Sequence, residues 1–87
     1  NTSELAARIE DTLRNAGSAE RAAREKAYLK SQLTHLGVPV PQVRKAVRDA
    51  VRAAGAITRE DVLGAVQALW EHEVHELRLA AVELLVR

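Results

Sequence analysis

KAYLKSQLTHLGVPVPQVRK, residues 26–45, decides the fold of this chain: a helical pattern runs into Gly37, turns through Pro39 and Pro41, and restarts as a basic helix. Glycine reaches the left-handed backbone that closes a helix, and proline, which cannot continue one, fits the first turn of the next. Two helices are expected to meet here at a fixed angle. Working backwards, Ser18 supplies an N-cap for a second helix whose buried stripe is Ala22, Leu29, Leu33 and Leu36, ending at Gly37. Before it, Thr2 or Ser3 caps a first helix with Leu5, Ile9 and Leu13 on one face and Gly17 as its terminator.

Working forwards, the third helix starts near Pro41, carries Val43, Val47, Ala50, Val51 and Ala54 on one side, and stops at Gly55. Thr58 and Asp61 then match a capping box, with an oxygen at the cap and a carboxylate three residues on. They open a fourth helix with Val62, Leu63, Val66, Leu69 and Trp70 directed inward, and Trp70, the only tryptophan, reads as a core anchor. A fifth helix begins around Val74. No segment alternates with period two and no Asn-Gly or Asp-Gly hairpin signal occurs, so no strand is expected. The expected fold is all-α, about five helices in one domain spanning residues 1–87. Short connections make the third-to-fourth and fourth-to-fifth pairs antiparallel helical hairpins, and stacked hairpins of this length are how α-solenoids are built.

Composition narrows the function classes. A chain of 87 residues supports a single core, which at this size buries roughly 60% of the unfolded surface. Hydrophobic residues make up 47% without any Phe or Met, so the core must be Ala, Val and Leu, which let helices approach closely. The absence of Cys removes disulfides, thiolate metal ligands and cysteine nucleophiles, and fits a reducing compartment. No apolar run approaches the roughly 18 residues of a membrane span and no signal-peptide pattern opens the chain, so the expectation is a soluble, cytoplasmic protein without a membrane partner.

The net charge of +1 conceals an uneven distribution. Between Ser18 and Gly55 there are eight Lys or Arg against three acids, while the flanks are net acidic. On the third helix Arg44, Arg48 and Arg52 recur at four-residue spacing beside Lys45, opposite the valine face. Like charges at that spacing cost an isolated helix about 0.2–0.5 kcal/mol per pair. Phosphate is the partner such a stripe suits, because each Lys or Arg that neutralises one releases a counterion; the alternative is a solvated helix face. Tyr28 lies off the leucine stripe, on a shoulder where its ring can pack on sugar or base, or seal a helix contact.

Other constellations fall short of chemistry. His72, Glu73, His75 and Glu76 lack the His-Glu-x-x-His spacing of a helical zinc site and read as a surface cluster. No Gly-rich phosphate loop or Ser-His-Asp arrangement occurs, so no catalytic residue, cofactor site or metal site is expected. In the fifth helix, Val74, Leu77, Ala81, Leu84 and Leu85 form one apolar face, Leu79, Val82 and Val86 a second, and Glu76, Glu83 and Arg87 a polar stripe. A helix apolar on two sides is buried between two layers. The expectation is that the natural protein continues into another repeat, or that a second copy covers this face; the alternative is a frayed terminal helix with a few exposed valines.

The order Tyr28-Leu29-Lys30, Leu36-Gly37-Val38, Pro41-x-x-Arg44, Leu69-Trp70, His75-Glu76 and Ala80-Ala81, covering about residues 23–85, resembles the opening of the DNA alkylation repair family, glycosylases built from HEAT-like repeats. The resemblance implies a concave cationic cradle for duplex DNA and excision of N3- or N7-alkylated purines without a metal. It also implies catalysis by an Asp flanked by tryptophans, with an Arg, in later repeats; nothing after Trp70 here matches that cluster. By this comparison the chain is the amino-terminal, DNA-binding part of such an enzyme, inactive alone. Tyr28, Lys30, Arg44, Lys45, Arg48 and Arg52 are then its contacts to the backbone of double-stranded DNA. The alternative is a HEAT-type protein-interaction module that docks a partner or another copy through the last helix.

Overall fold

A computed structural model describes residues 2–86, and the side chains of residues 4–86, as five α-helices: α1 Thr2–Ala16, α2 Ala19–Leu29, α3 Val40–Ala54, α4 Arg59–Glu71 and α5 His75–Leu85. Among the described residues the only extended pairing is one isolated parallel bridge, Thr34 with Val74. The all-α expectation therefore holds. The cap expected at Thr2 or Ser3 and the polar contribution of Arg87 fall on side chains outside those described.

Local signals set most boundaries. Ser18 caps α2 by accepting the Arg21 amide, and α1 ends at Ala16 ahead of Gly17. Thr58 and Asp61 form a complete capping box, the Thr58 hydroxyl accepting the Asp61 amide at 3.0 Å and the Asp61 carboxylate accepting the Thr58 amide at 3.1 Å. Gly55 closes α3 at a positive φ of 72°.

α5 is the hub. It packs against α1, α3 and α4, and α1 in turn packs against α3 and α4. Because α3 and α4 do not pack on each other, they flank the α1 and α5 pair from opposite sides. The hairpin expected between α3 and α4 is thus absent, while α4 and α5 do form a packed pair. The reason is burial: Val43, Ala46, Val47 and Ala50 of α3 and Ala65 and Leu69 of α4 find cover on α1 and α5 instead of on one another. Alanines on α5, Ala80 and Ala81, are fully buried, and their small size lets neighbours close in. Leu5, Ile9 and Leu13 of α1 are buried as their spacing indicated.

The second helix is shorter than its pattern suggested. α2 ends at Leu29, not at Gly37, and no residue on it is buried. Lys30 takes the left-handed conformation (φ 51°, ψ 42°), its amide bonding to the Ala27 carbonyl and the next amide, of Ser31, reaching the Lys26 carbonyl. That pair of bonds is a Schellman stop made with lysine where glycine is usual. Residues 31–39 then run as an irregular segment. Gly37 keeps its positive φ of 79°, but for another reason: a Cβ there would overlap the Ser18 carbonyl oxygen, so the glycine admits close backbone contact at the start of α2. Gly17 does the same against the Leu36 carbonyl.

Candidate nucleic-acid interface

The segment between α2 and α3 is held by an acid that its position on the helix wheel marked as solvated. Glu76, in the first turn of α5, is fully buried. Its Oε1 accepts the Leu36 amide at 2.9 Å, and its Oε2 accepts the amides of Gly37 at 2.9 Å and Val38 at 3.1 Å. Three successive N–H groups converging on one carboxylate form an anion nest, filled here from within the chain. Burial pushes the Glu76 carboxyl up, but the donors from Leu36, Val38, its own amide and Gly37 outweigh it and hold the group below the ordinary glutamate range. The Thr34 amide adds a bond to the Glu73 carbonyl at 2.9 Å, and the His75 amide bonds to the Thr34 carbonyl at 2.8 Å. The run from Thr34 to Val38 is therefore pinned to the start of α5, and α3 leaves from it in a fixed direction.

That direction displays the cationic stripe. Arg44, Lys45, Arg48 and Arg52 are all exposed, opposite the buried Val43, Ala46, Val47 and Ala50. Two of the four form ion pairs: Arg44 Nε lies 3.6 Å from Glu83, and Lys45 Nζ bonds to Asp49 at 2.8 Å. The Lys45 hydrogen bond, helped by the charges of Arg48 and Arg52, holds the Asp49 carboxyl below the usual range. Arg48 and Arg52 make no ion pair among the described residues.

Tyr28 and Lys30 lie elsewhere, at the far end of α2, a helix that packs closely against none of the others. Tyr28 is 87% exposed, well beyond the shoulder position expected from its register. It lines a shallow hollow along α2 with Arg21, Arg24 and Glu25, two cations that the sequence reading left aside. The structure thus brings together the four α3 residues but not the α2 pair with them.

Trp70 is a second correction. It is 49% exposed, and the guanidinium of Arg78 stacks over its ring at 4.8 Å while Arg78 Nε bonds to the His72 carbonyl. With Leu63, Val66, Val82 and Leu85 it lines an apolar hollow between α4 and α5. The inward residues of α4 are Ala65 and Leu69, with Val62 and Val66 half-buried, so the face lies about one residue off the expected stripe. Leu85, placed on the inner face of α5, is exposed as well.

The run His72, Glu73, His75, Glu76 is divided by the fold. His72 Nε2 approaches Glu10 at 3.4 Å, Glu73 is exposed, and Glu76 serves the nest. His75 stacks on the buried His35, ring centroids 4.4 Å apart and planes within 18°. Glu25 of α2 reaches both, its Oε1 being 2.9 Å from His35 Nδ1 and 3.9 Å from His75 Nε2.

With this arrangement in view, the sequence model of one protein family, described as DNA alkylation repair enzyme, matches residues 9–87. The chain belongs to that family. No curated protein and no solved structure matches it. Membership in the DNA alkylation repair enzyme family gives the stripe on α3 a context. In that context the residues that sequence reasoning missed are Glu76, His35 and Glu25, which orient the two cationic helices; their spacing carried no signal, because what they contact is distant in the chain. No described helix is long and apolar enough to cross a membrane.

Proposed function

We propose that this chain is the duplex-binding part of a glycosylase that removes N3- or N7-alkylated purines, gripping the phosphate backbone through α3 while catalytic groups absent from these 87 residues act on the base. One observation carries the reading. Arg48 and Arg52 stand one helical turn apart on a helix packed along its opposite face, exposed and in no ion pair among the described residues. Arg44 and Lys45 extend the row at the cost of exchanging a surface acid for a phosphate, a small cost because exposed ion pairs are worth about 0–1 kcal/mol. Tyr28 and Lys30, with Arg21 and Arg24, give α2 a second, separate contact to the same polyanion. The α-solenoid arrangement belongs to this proposal too, α4 and α5 forming one repeat.

Fluorescence anisotropy with a labelled duplex tests it. Binding is expected to be insensitive to sequence and to weaken steeply with salt, log K falling by about 0.9 per phosphate neutralised per decade of salt. Arg48→Ala and Arg52→Ala should each lower that slope by about 1. Binding that is absent, or indifferent to salt, rejects the proposal.

A second reading is favoured by the apolar hollow around Trp70: a HEAT-type module that self-associates through α4 and α5. It requires concentration-dependent dimers in sedimentation that Val82→Glu abolishes, and a strict monomer excludes it.

A further inference from the structure

We propose that Glu25, His35 and His75 form a binding site for a zinc-type divalent ion that clips α2 to the body of the domain. The proposal does not depend on DNA binding. Three donors from three separate elements converge: a carboxylate from α2, an imidazole from the segment after it, and an imidazole from the first turn of α5. Their ligand atoms all lie within 4.8 Å of one another. Donors of a tetrahedral zinc ion, each about 2.0–2.2 Å from the metal, stand roughly 3.3 Å apart. The distances from Glu25 Oε1, 2.9 Å to His35 Nδ1 and 3.9 Å to His75 Nε2, bracket that value. Two imidazoles and a carboxylate with a fourth position open to water make a donor set that zinc favours.

One ligand of the cluster is already fixed in place. The His35 ring is enclosed, its side chain 1% exposed, with Nδ1 turned to Glu25 Oε1. The stacked rings set the one adjustment that binding requires. Parallel imidazoles aim their lone pairs side by side, so one ring must turn about χ2 to aim its nitrogen at the ion. His75, a quarter exposed on its side chain, has the solvent-facing side that permits this, whereas His35 is enclosed.

The consequence falls on α2. It buries no residue and packs closely on no other helix, so its tie to the body is Glu25 together with the backbone contacts at Gly17 and Gly37. An ion bridging Glu25 to His35 and His75 replaces one hydrogen bond by bonds to two further elements. Tyr28 follows Glu25 by three residues, on the next turn, and is held with it.

The test uses the whole chain, free of any histidine tag and stripped with a chelator, titrated with zinc chloride by calorimetry at neutral pH. One saturable equivalent is expected, with cobalt giving the visible d–d absorption of a four-coordinate site. His75→Ala and Glu25→Gln should each weaken zinc binding by at least about tenfold, since even partners behind a ligand are worth about 10–100-fold. Helix content without zinc, measured by circular dichroism, establishes that each variant is folded, and either folded variant decides the matter. Zinc should also slow amide exchange in α2 of the parent and leave it unchanged in His75→Ala. The proposal is overturned if no saturable binding occurs, or if binding survives the variants, which would put the ion on surface groups such as His72 with Glu10.

Discussion

α2 and α3 carry cations in similar number, yet one is built into the domain and the other is appended to it. α3 buries Val43, Ala46, Val47 and Ala50, and its start is set by Glu76 through three backbone amides. α2 buries nothing and is tied to the body only through Glu25 and the backbone contacts at Gly17 and Gly37, with Tyr28 and Lys30 exposed at its C-terminal end. Charge pattern alone does not distinguish these helices. Burial on the opposite face does, because only a packed face converts a row of arginines into a surface of fixed spacing.

The largest expected effect lies where the comparison is anchored. Glu76→Ala leaves the buried amides of Gly37 and Val38 without an acceptor, and each such loss costs about 1–3 kcal/mol. The variant should lose on the order of 3–5 kcal/mol in urea unfolding, a large share of a small domain's stability. An effect below about 1 kcal/mol would mean that the nest does not orient α3. The same carboxylate gives a pH signature. Its folded value is depressed, so its contribution is complete above the unfolded-state value of about 4.3 and disappears as pH falls through the lower folded value. Asp49 shifts in the same direction, so the Glu76 share is the difference between the parent and Glu76→Gln, whose profile should be flatter below about pH 4.3.

The next effect compares the two helices directly. Val47→Ala removes fully buried methyl groups from α3 and should cost about 2 kcal/mol, whereas Leu29→Ala, half exposed on α2, should stay within about 0.5 kcal/mol. Equal losses in thermal or urea unfolding would show that α2 is as well packed as α3. The smallest effect is at the stop of α2. Lys30→Gly relieves a left-handed lysine at an exposed position, and a gain of up to about 1 kcal/mol is expected after the entropy cost of glycine. A loss in the same assay would mean that the lysine side chain stabilises the turn.

Much of this was legible beforehand. The caps at Ser18 and Thr58, the stops at Gly17 and Gly55, the proline start of α3 and its apolar face are local features, each specified within a few residues. The end of α2 was not, because Lys30 makes its Schellman turn without a glycine and Leu33 and Leu36 continue a helical spacing in a segment held irregular by contacts 38–40 residues away. Trp70 was placed inward by hydrophobicity, while its ring turns out to stack under Arg78. Glu76 looked solvated because the helix wheel records neighbours on one helix and nothing of the amides that approach from another part of the chain.

The amino-acid sequence by itself determined that five helices form, nearly where each begins, and that α3 is cationic on one side and apolar on the other. These follow from propensity, capping and periodicity, which act over one or two turns. Only the tertiary structure decided that α2 stops early and stands apart, that α3 and α4 flank α5 without forming a hairpin, and that Glu76, His35 and Glu25 become the joints between elements. Those outcomes depend on which backbone donors and buried faces meet across the chain, and a carboxylate becomes structural only when three amides arrive to neutralise the cost of burying it.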